Sequence, residues 1–453
     1  MKQVTMSLVV MITMLCLACS EPSADSIAQE NTSAKKKYVT TTNLPKPIRE
    51  DWPAFLGPHQ NSISRETGLL LEWPADGPKV VWKKEIGVSF GAPVVGDGKL
   101  IVFHRIADEE VIECVDALDG NKTFWKHSYP TSYRDRYNYN GGPRSSATIH
   151  GEHVYAFGAE GVLTCVEFET GKRVWQRQVS KDFDVPQGFF GVGTAPVIDG
   201  ELILLNVGGP NGAGIVAFNK TSGETAWKTG DDTASYSTPI VATVNGERLA
   251  IFYTGDGLYV VDAKSGEKKY SYPFRSRIRE SAIAASPLLV DDVVFLSATY
   301  QIGAVALRLT PNGLEEVWKE LNSLQTHWAT AIYHEGNLYG VHGRHEGSTR
   351  FRCIDFGTAE IVWTAPDDYS RDPKKPRQRL GRAGYVMAEN HLITMGENGD
   401  LALIELSTEG YKEKARAWYL RGPVYTPPIL AQGYVYIRNE TELICLDLRA
   451  TQD

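Results

Sequence analysis

Across 453 residues the chain carries only 6 cysteines, and no two of them are adjacent. Outside residues 16–19 there is no C-x-x-C spacing, and there is no H-E-x-x-H run, so the common zinc and metalloprotease spacings are missing. Basic residues are in deficit: 47 Lys and Arg stand against 55 Asp and Glu, for a net charge of -8. Binding to a phosphate backbone normally takes a basic domain, so nucleic acid is not expected as a partner. Long apolar runs are scarce too. The stretch VVMITMLCLAC, residues 9–19, is too short to span a bilayer. What the chain does have is 42% hydrophobic residues, 42 Gly and 23 Pro, enough core and enough turns for a many-stranded protein.

The short apolar run follows Lys2 and ends in small Ala18 before Cys19, the layout of an export signal. No twin-arginine pair precedes it, which implies the general secretory route. The LAC ending resembles the lipobox of bacterial lipoproteins, although Cys16 stands where that motif usually has Leu. The resemblance implies that residues 1–19 are a lipoprotein-type signal peptide and that Cys19 is lipidated and becomes the new N-terminus. Ser20 behind it, in the proteobacterial pattern, points to the outer membrane facing the periplasm. Residues 20–50 are polar and poor in large apolar side chains, so they cannot offset their own chain entropy. They are expected to be a disordered tether with a reach of roughly 30 Å.

Beyond residue 50 the chain repeats itself. An aromatic residue recurs at Trp82, Trp125, Trp175, Trp227, Tyr270, Trp318, Trp363 and Trp418, at a mean spacing of 48 residues. That period suits a blade of four strands. Alternating apolar stretches joined at Asp97-Gly98 and Asp119-Gly120 supply the strands of one unit, and inner-strand openings such as TAPVIDGEL and ASPLLVDDV mark the others. The last unit ends before any tryptophan strand, while GPKVVWKKEI near Trp82 has no unit before it. The expected fold is therefore an all-β, eight-bladed propeller of four-stranded antiparallel blades over residues 51–449. The N-terminal strand completes the C-terminal blade, leaving 450–453 as a tail. Before most turns stands an acid or Asn, as in Asp116 to Gly120 and Glu167 to Gly171, where a side-chain oxygen can accept turn N–H groups. Ala359 occupies the glycine position of one turn and is expected to strain it.

These turn-and-tryptophan units resemble the repeat of the pyrroloquinoline-quinone-like β-propellers, and WPAFLGP at residues 52–58 is typical of one bacterial branch of them. Kelch and WD40 signatures are missing. Two kinds of relative compete: quinone-dependent dehydrogenases, and the non-enzymatic outer-membrane assembly lipoproteins of the BamB type. The dehydrogenases usually carry adjacent cysteines above the cofactor and a calcium site of Glu, Asn and Asp. Here Cys114, Cys165, Cys353 and Cys445 instead fill one slot of the third strand in four units, as small apolar side chains. Neither the quinone nor calcium is expected, and no catalytic or metal-binding residue is assigned.

The loops that such a fold gathers on one face are rich in planar cations and aromatics. They contain Arg134, Arg136, Tyr137 and Arg144 in one link, Arg275, Arg277 and Arg279 in a second, then His327 and Trp328, Arg344 and His345, and Arg382. Arginine suits carboxylate and sulfate, and aromatic faces suit sugars or apolar side chains. The plainer alternative is solvated loop charge paired with Asp135, Glu280 and Glu346. The expectation is a binding scaffold of the cell envelope whose loop face takes an envelope protein or an anionic glycan. The alternative is an enzyme or sensor acting on such glycans.

Overall fold

The computed structural model describes residues 46–186, 188, 190–278, 281–345, 348–366 and 379–450. The signal segment, Cys19, the tether up to residue 45 and Arg279 lie outside them. Eight four-stranded antiparallel sheets make up the described chain, with one four-residue helix, Val179–Asp182. Blades 1 to 7 are continuous in sequence, at residues 94–130, 148–178, 197–229, 240–273, 288–320, 332–364 and 384–418. Blade 8 takes three strands from residues 429–447 and its outermost from Lys79–Glu85, which runs antiparallel to Glu442–Asp447 from Lys79 opposite Asp447 to Glu85 opposite Glu442. The seam also carries charge. Lys84 of this strand meets Glu113 of blade 1 at 3.2 Å, and that carboxylate is almost fully buried.

Second and third strands are buried on both sides, as in Val162–Glu167, because each blade is sandwiched between two others. Outer strands alternate, and their inward-facing aromatic wedges against the next blade. The indole Nε1 of Trp82 donates to the Ala117 carbonyl of blade 1 at 3.0 Å, Trp125 to Phe168 of blade 2 at 2.9 Å, and Trp175 to Lys220 of blade 3 at 3.0 Å. Trp318 and Trp363 repeat the contact with Phe356 and Ser407, and Tyr270 makes it through its hydroxyl to Thr310. Trp227 packs on the Gly266 turn, yet its Nε1 finds no partner.

The turn glycine has two reasons to be glycine. Gly171 sits at φ +69°, and a Cβ there would also lie 2.4 Å from the Trp125 ring. Gly120 lies outside the left-handed region, so only the second reason holds: a Cβ would lie 2.6 Å from the Trp82 ring. Ala359 adopts φ 64°, the strained conformation for a residue with a side chain. Opposite the wedge in four blades stands cysteine: Cys445 faces Trp82, Cys114 faces Trp125, Cys165 faces Trp175 and Cys353 faces Trp363. All four are buried free thiols, and burial pushes Cys114, Cys165 and Cys445 up to about 12 and Cys353 to about 11, far from the thiolate.

One of the eight aromatics is not a wedge. Trp418 pairs with Asp400 and is 50% exposed, whereas the wedge position of blade 7, next to the bulge that all eight blades share, is held by Ala415 opposite Leu403. The cause lies next door. A wedge docks on the turn joining the third and fourth strands of the following blade, and in blade 8 no such turn exists, since those strands come from opposite ends of the chain. Tyr419 fills the place instead, its hydroxyl donating to the Pro78 carbonyl at 2.7 Å.

Candidate binding site in the central channel

The channel between the eight inner strands is closed at one end by the chain itself. Trp52 exchanges both backbone hydrogen bonds with Val95 of blade 1, and Pro53 accepts from Ile149 of blade 2. The Gln60 side chain accepts from Val241 of blade 4, and Ser62 and Ser64 bond to Met387 of blade 7. A segment tied to blades on opposite sides of the ring crosses it. Phe55, Leu56 and Ser62 become the floor of a cavity of about 440 Å³ that opens toward the loop face.

Its wall is one repeat position used eight times. The residue four places before the start of the inner strand is Phe90 in blade 1, then Arg144, Gly193, Tyr236, Ala284 and Trp328. Tyr425 holds that place in blade 8, and in blade 7 Arg382 does so relative to Val386. All eight line the cavity. The bulky members touch in sequence around the mouth. Trp328 meets Tyr425 edge-on with centroids 5.2 Å apart, and Tyr425 lies 5.7 Å from Phe90. The Arg382 guanidinium covers Trp328 at 4.9 Å, and that of Arg144 covers Phe90 at 5.2 Å. The two small members, Gly193 and Ala284, flank Tyr236, whose ring takes the space at Gly193, where a Cβ would lie 2.6 Å from it, so the lining is least bulky at Ala284 of blade 5.

The loop residues expected to act together divide. Arg144, His327, Trp328, Arg344, His345 and Arg382 line the central cavity. Arg134, Arg136 and Tyr137 are exposed on the link above it. Arg275 and Arg277 face a separate groove of about 1490 Å³ on the same side of the ring, so the arginines of that link do not converge on the central opening. Several charges are also already matched. Arg144 meets buried Asp135 at 2.9 Å, Arg275 meets Asp256 at 2.6 Å, and Arg382 is forked onto Glu397 with its Nε 3.0 Å from Oε1. His327 is no cation at all: burial, then Arg382, Arg344 and His345, push it down to about 3. Phe90, Tyr236, Tyr300 and Tyr425, which complete the collar, were absent from the sequence expectation. For Phe90, Tyr236 and Tyr425 the signal was the fixed distance to the inner strand, whereas Tyr300, between the second and third strands of blade 5, carried none.

Calcium does not fit this lining. It takes 6–8 oxygen ligands with carboxylates among them, and among the described residues the cavity wall holds no Asp or Glu. Among the described residues no group of three or more His, Cys, Asp or Glu could hold a metal ion.

The family described as outer membrane protein assembly factor BamB matches residues 57–185 and 108–365, most of the propeller just described. The chain belongs to the BamB family. It is 29% identical over 160 residues to outer membrane protein assembly factor BamB of Burkholderia pseudomallei (strain K96243), a match spanning 35% of this chain and 38% of that relative's length. Among solved structures it is similar to BamB from Moraxella catarrhalis, with a TM-score of 0.59 at 12% identity, covering 83% of this chain and 99% of that one. A europium-containing methanol dehydrogenase is as similar in shape, with a TM-score of 0.60 at 11% identity and coverage of 86% and 89%. At such identities the likeness shows the fold alone, and BamB-family membership rests on the sequence match.

Proposed function

We propose that this BamB-family propeller is a non-catalytic binding scaffold of the bacterial cell envelope, contributing to outer-membrane protein assembly by docking a protein partner on its loop face. The observation that carries the reading is the composition of that face. Tyr137, Tyr139 and Ile278 are 43%, 54% and 45% exposed beside Arg134, Arg136 and Arg277, and exposed aromatics interleaved with arginine are the composition of interface centres. A photo-crosslinking amino acid placed at Tyr137 or Ile278 in cells is expected to capture an envelope protein. The same residue at Val174 or Val317, on outer strands, is expected to capture none. Equal capture at all four positions, or none on the loop face, refutes the scaffold.

The envelope location follows from the lipobox resemblance. Cys19 is proposed to carry the lipid, residues 1–19 the export signal and 20–50 the tether. Cys19→Ser is expected to move the protein from the membrane to the soluble fraction, and membrane association unchanged by the substitution refutes the anchor.

A further inference from the structure

We propose that the central cavity is a small-molecule site for an organic monocarboxylate with a flat, apolar body. The inference rests on the cavity lining alone and is independent of any protein docking on the loops above it. A volume of about 440 Å³ falls within the range of small-ligand pockets, and the mostly apolar wall with a few placed polar groups is their usual make-up. The body of the ligand is set by the collar. Trp328, Tyr425 and Phe90 present rings on one side, and on the other the small Ala284 stands where the collar elsewhere carries a ring or a guanidinium.

The charge of the ligand follows from counting what the wall leaves uncompensated. Among the described residues three arginines line the cavity and no carboxylate does. Asp135 and Glu397, behind the wall, offset Arg144 and Arg382. Arg344 meets no carboxylate among the described residues. It lies 4.1 Å over the Tyr300 ring and is held through Nε by His345 at 3.1 Å, which leaves the two terminal nitrogens of its fork for a bidentate acceptor. His327 is neutral and adds no charge. Among the described residues of the wall Arg344 is the cation without a carboxylate, and it calls for one anion.

A second observation points to a ligand independently of charge. Two polar atoms belonging to the lining are buried with no hydrogen-bond partner: Arg144 Nε and Ser146 Oγ. Unpaired buried donors are costly, and in a native protein call for an occupant that satisfies them. They belong to the link entering blade 2, and Arg344 to blade 6, so a carboxylate held by Arg344 would carry its body toward them.

The test is calorimetric titration of the full-length protein with 1-naphthoate and with 1-naphthalenemethanol, which has the same rings without the charge. Saturable one-to-one binding of the naphthoate is expected, roughly tenfold or more tighter than the alcohol, the ratio a charged hydrogen bond gives. Arg344→Gln should erase that preference and Arg344→Lys should keep part of it. Ala284→Phe, which puts a ring where the collar lacks one, should weaken both probes at least roughly tenfold. No saturable binding, equal affinity for the two probes, a preference that survives Arg344→Gln in a variant with unchanged thermal unfolding, or indifference to Ala284→Phe each overturns the proposal.

Discussion

Deleting residues 76–86 is expected to lower the urea midpoint more than any other excision of equal length, with a loss of at least about 5 kcal/mol, comparable to the whole stability of many domains. The excised stretch holds the outermost strand of blade 8. Without it Glu442–Asp447 becomes a bare edge, six backbone pairings vanish and the Glu113 carboxylate loses Lys84 from its buried site. Trp82 goes with it, and with Trp82 the hydrogen bond to Ala117 that ties blade 8 to blade 1. A ring whose midpoint stays within error of the intact protein would mean that the eighth blade stands on three strands and that closure contributes nothing.

The wedge itself makes the second large prediction. Trp125→Ala is expected to cost about 3–5 kcal/mol, as for other buried large aromatics, because the ring fills the space above Gly171 and its Nε1 satisfies the Phe168 carbonyl. Trp418→Ala is the contrast: half exposed and outside the wedge register, it should change stability by less than about 0.5 kcal/mol. Comparable losses at both positions in chemical unfolding would show that the outer aromatics act through burial alone and not through the inter-blade contact.

The same pair of residues shows what could be read from the chain. The spacing of Trp125 and its partners was legible because a blade is built locally, each strand hydrogen-bonded to the one before it. Trp418 was misleading because it stands three residues beyond the wedge position, which Ala415 holds, and the turn on which a wedge would dock is missing from blade 8, whose third and fourth strands lie more than 300 residues apart. The cavity divides in the same way. Arg144, Arg382 and Trp328 stood out as loop residues of promising chemistry, but Phe90, Tyr236 and Tyr425 belong to the same ring only when counted back from the inner strands. Arg275 and Arg277 share that composition and face another groove, since composition does not say which side of the ring a loop leans over. Nor could residues 52–64 be read as a floor: their partners, Val95, Ile149, Val241 and Met387, are spread along the chain and gathered only by closure.

The boundary between blades 7 and 8 is the one built without an aromatic wedge and without the turn that would receive it. Tyr419 and Ala415 hold its outer half, and the remaining cohesion comes from inner residues such as Val386, Leu403 and Ile429. At the mouth of the channel the same boundary is flanked by Arg382, from the link into blade 7, and Tyr425, from the link into blade 8. They stand 5.3 Å apart. A guanidinium laid on a phenol ring thus bridges, at the rim of the channel, the one boundary whose outer half lacks the wedge-and-turn lock, so the place where the two chain ends are joined is fastened from the mouth as well as from its buried core.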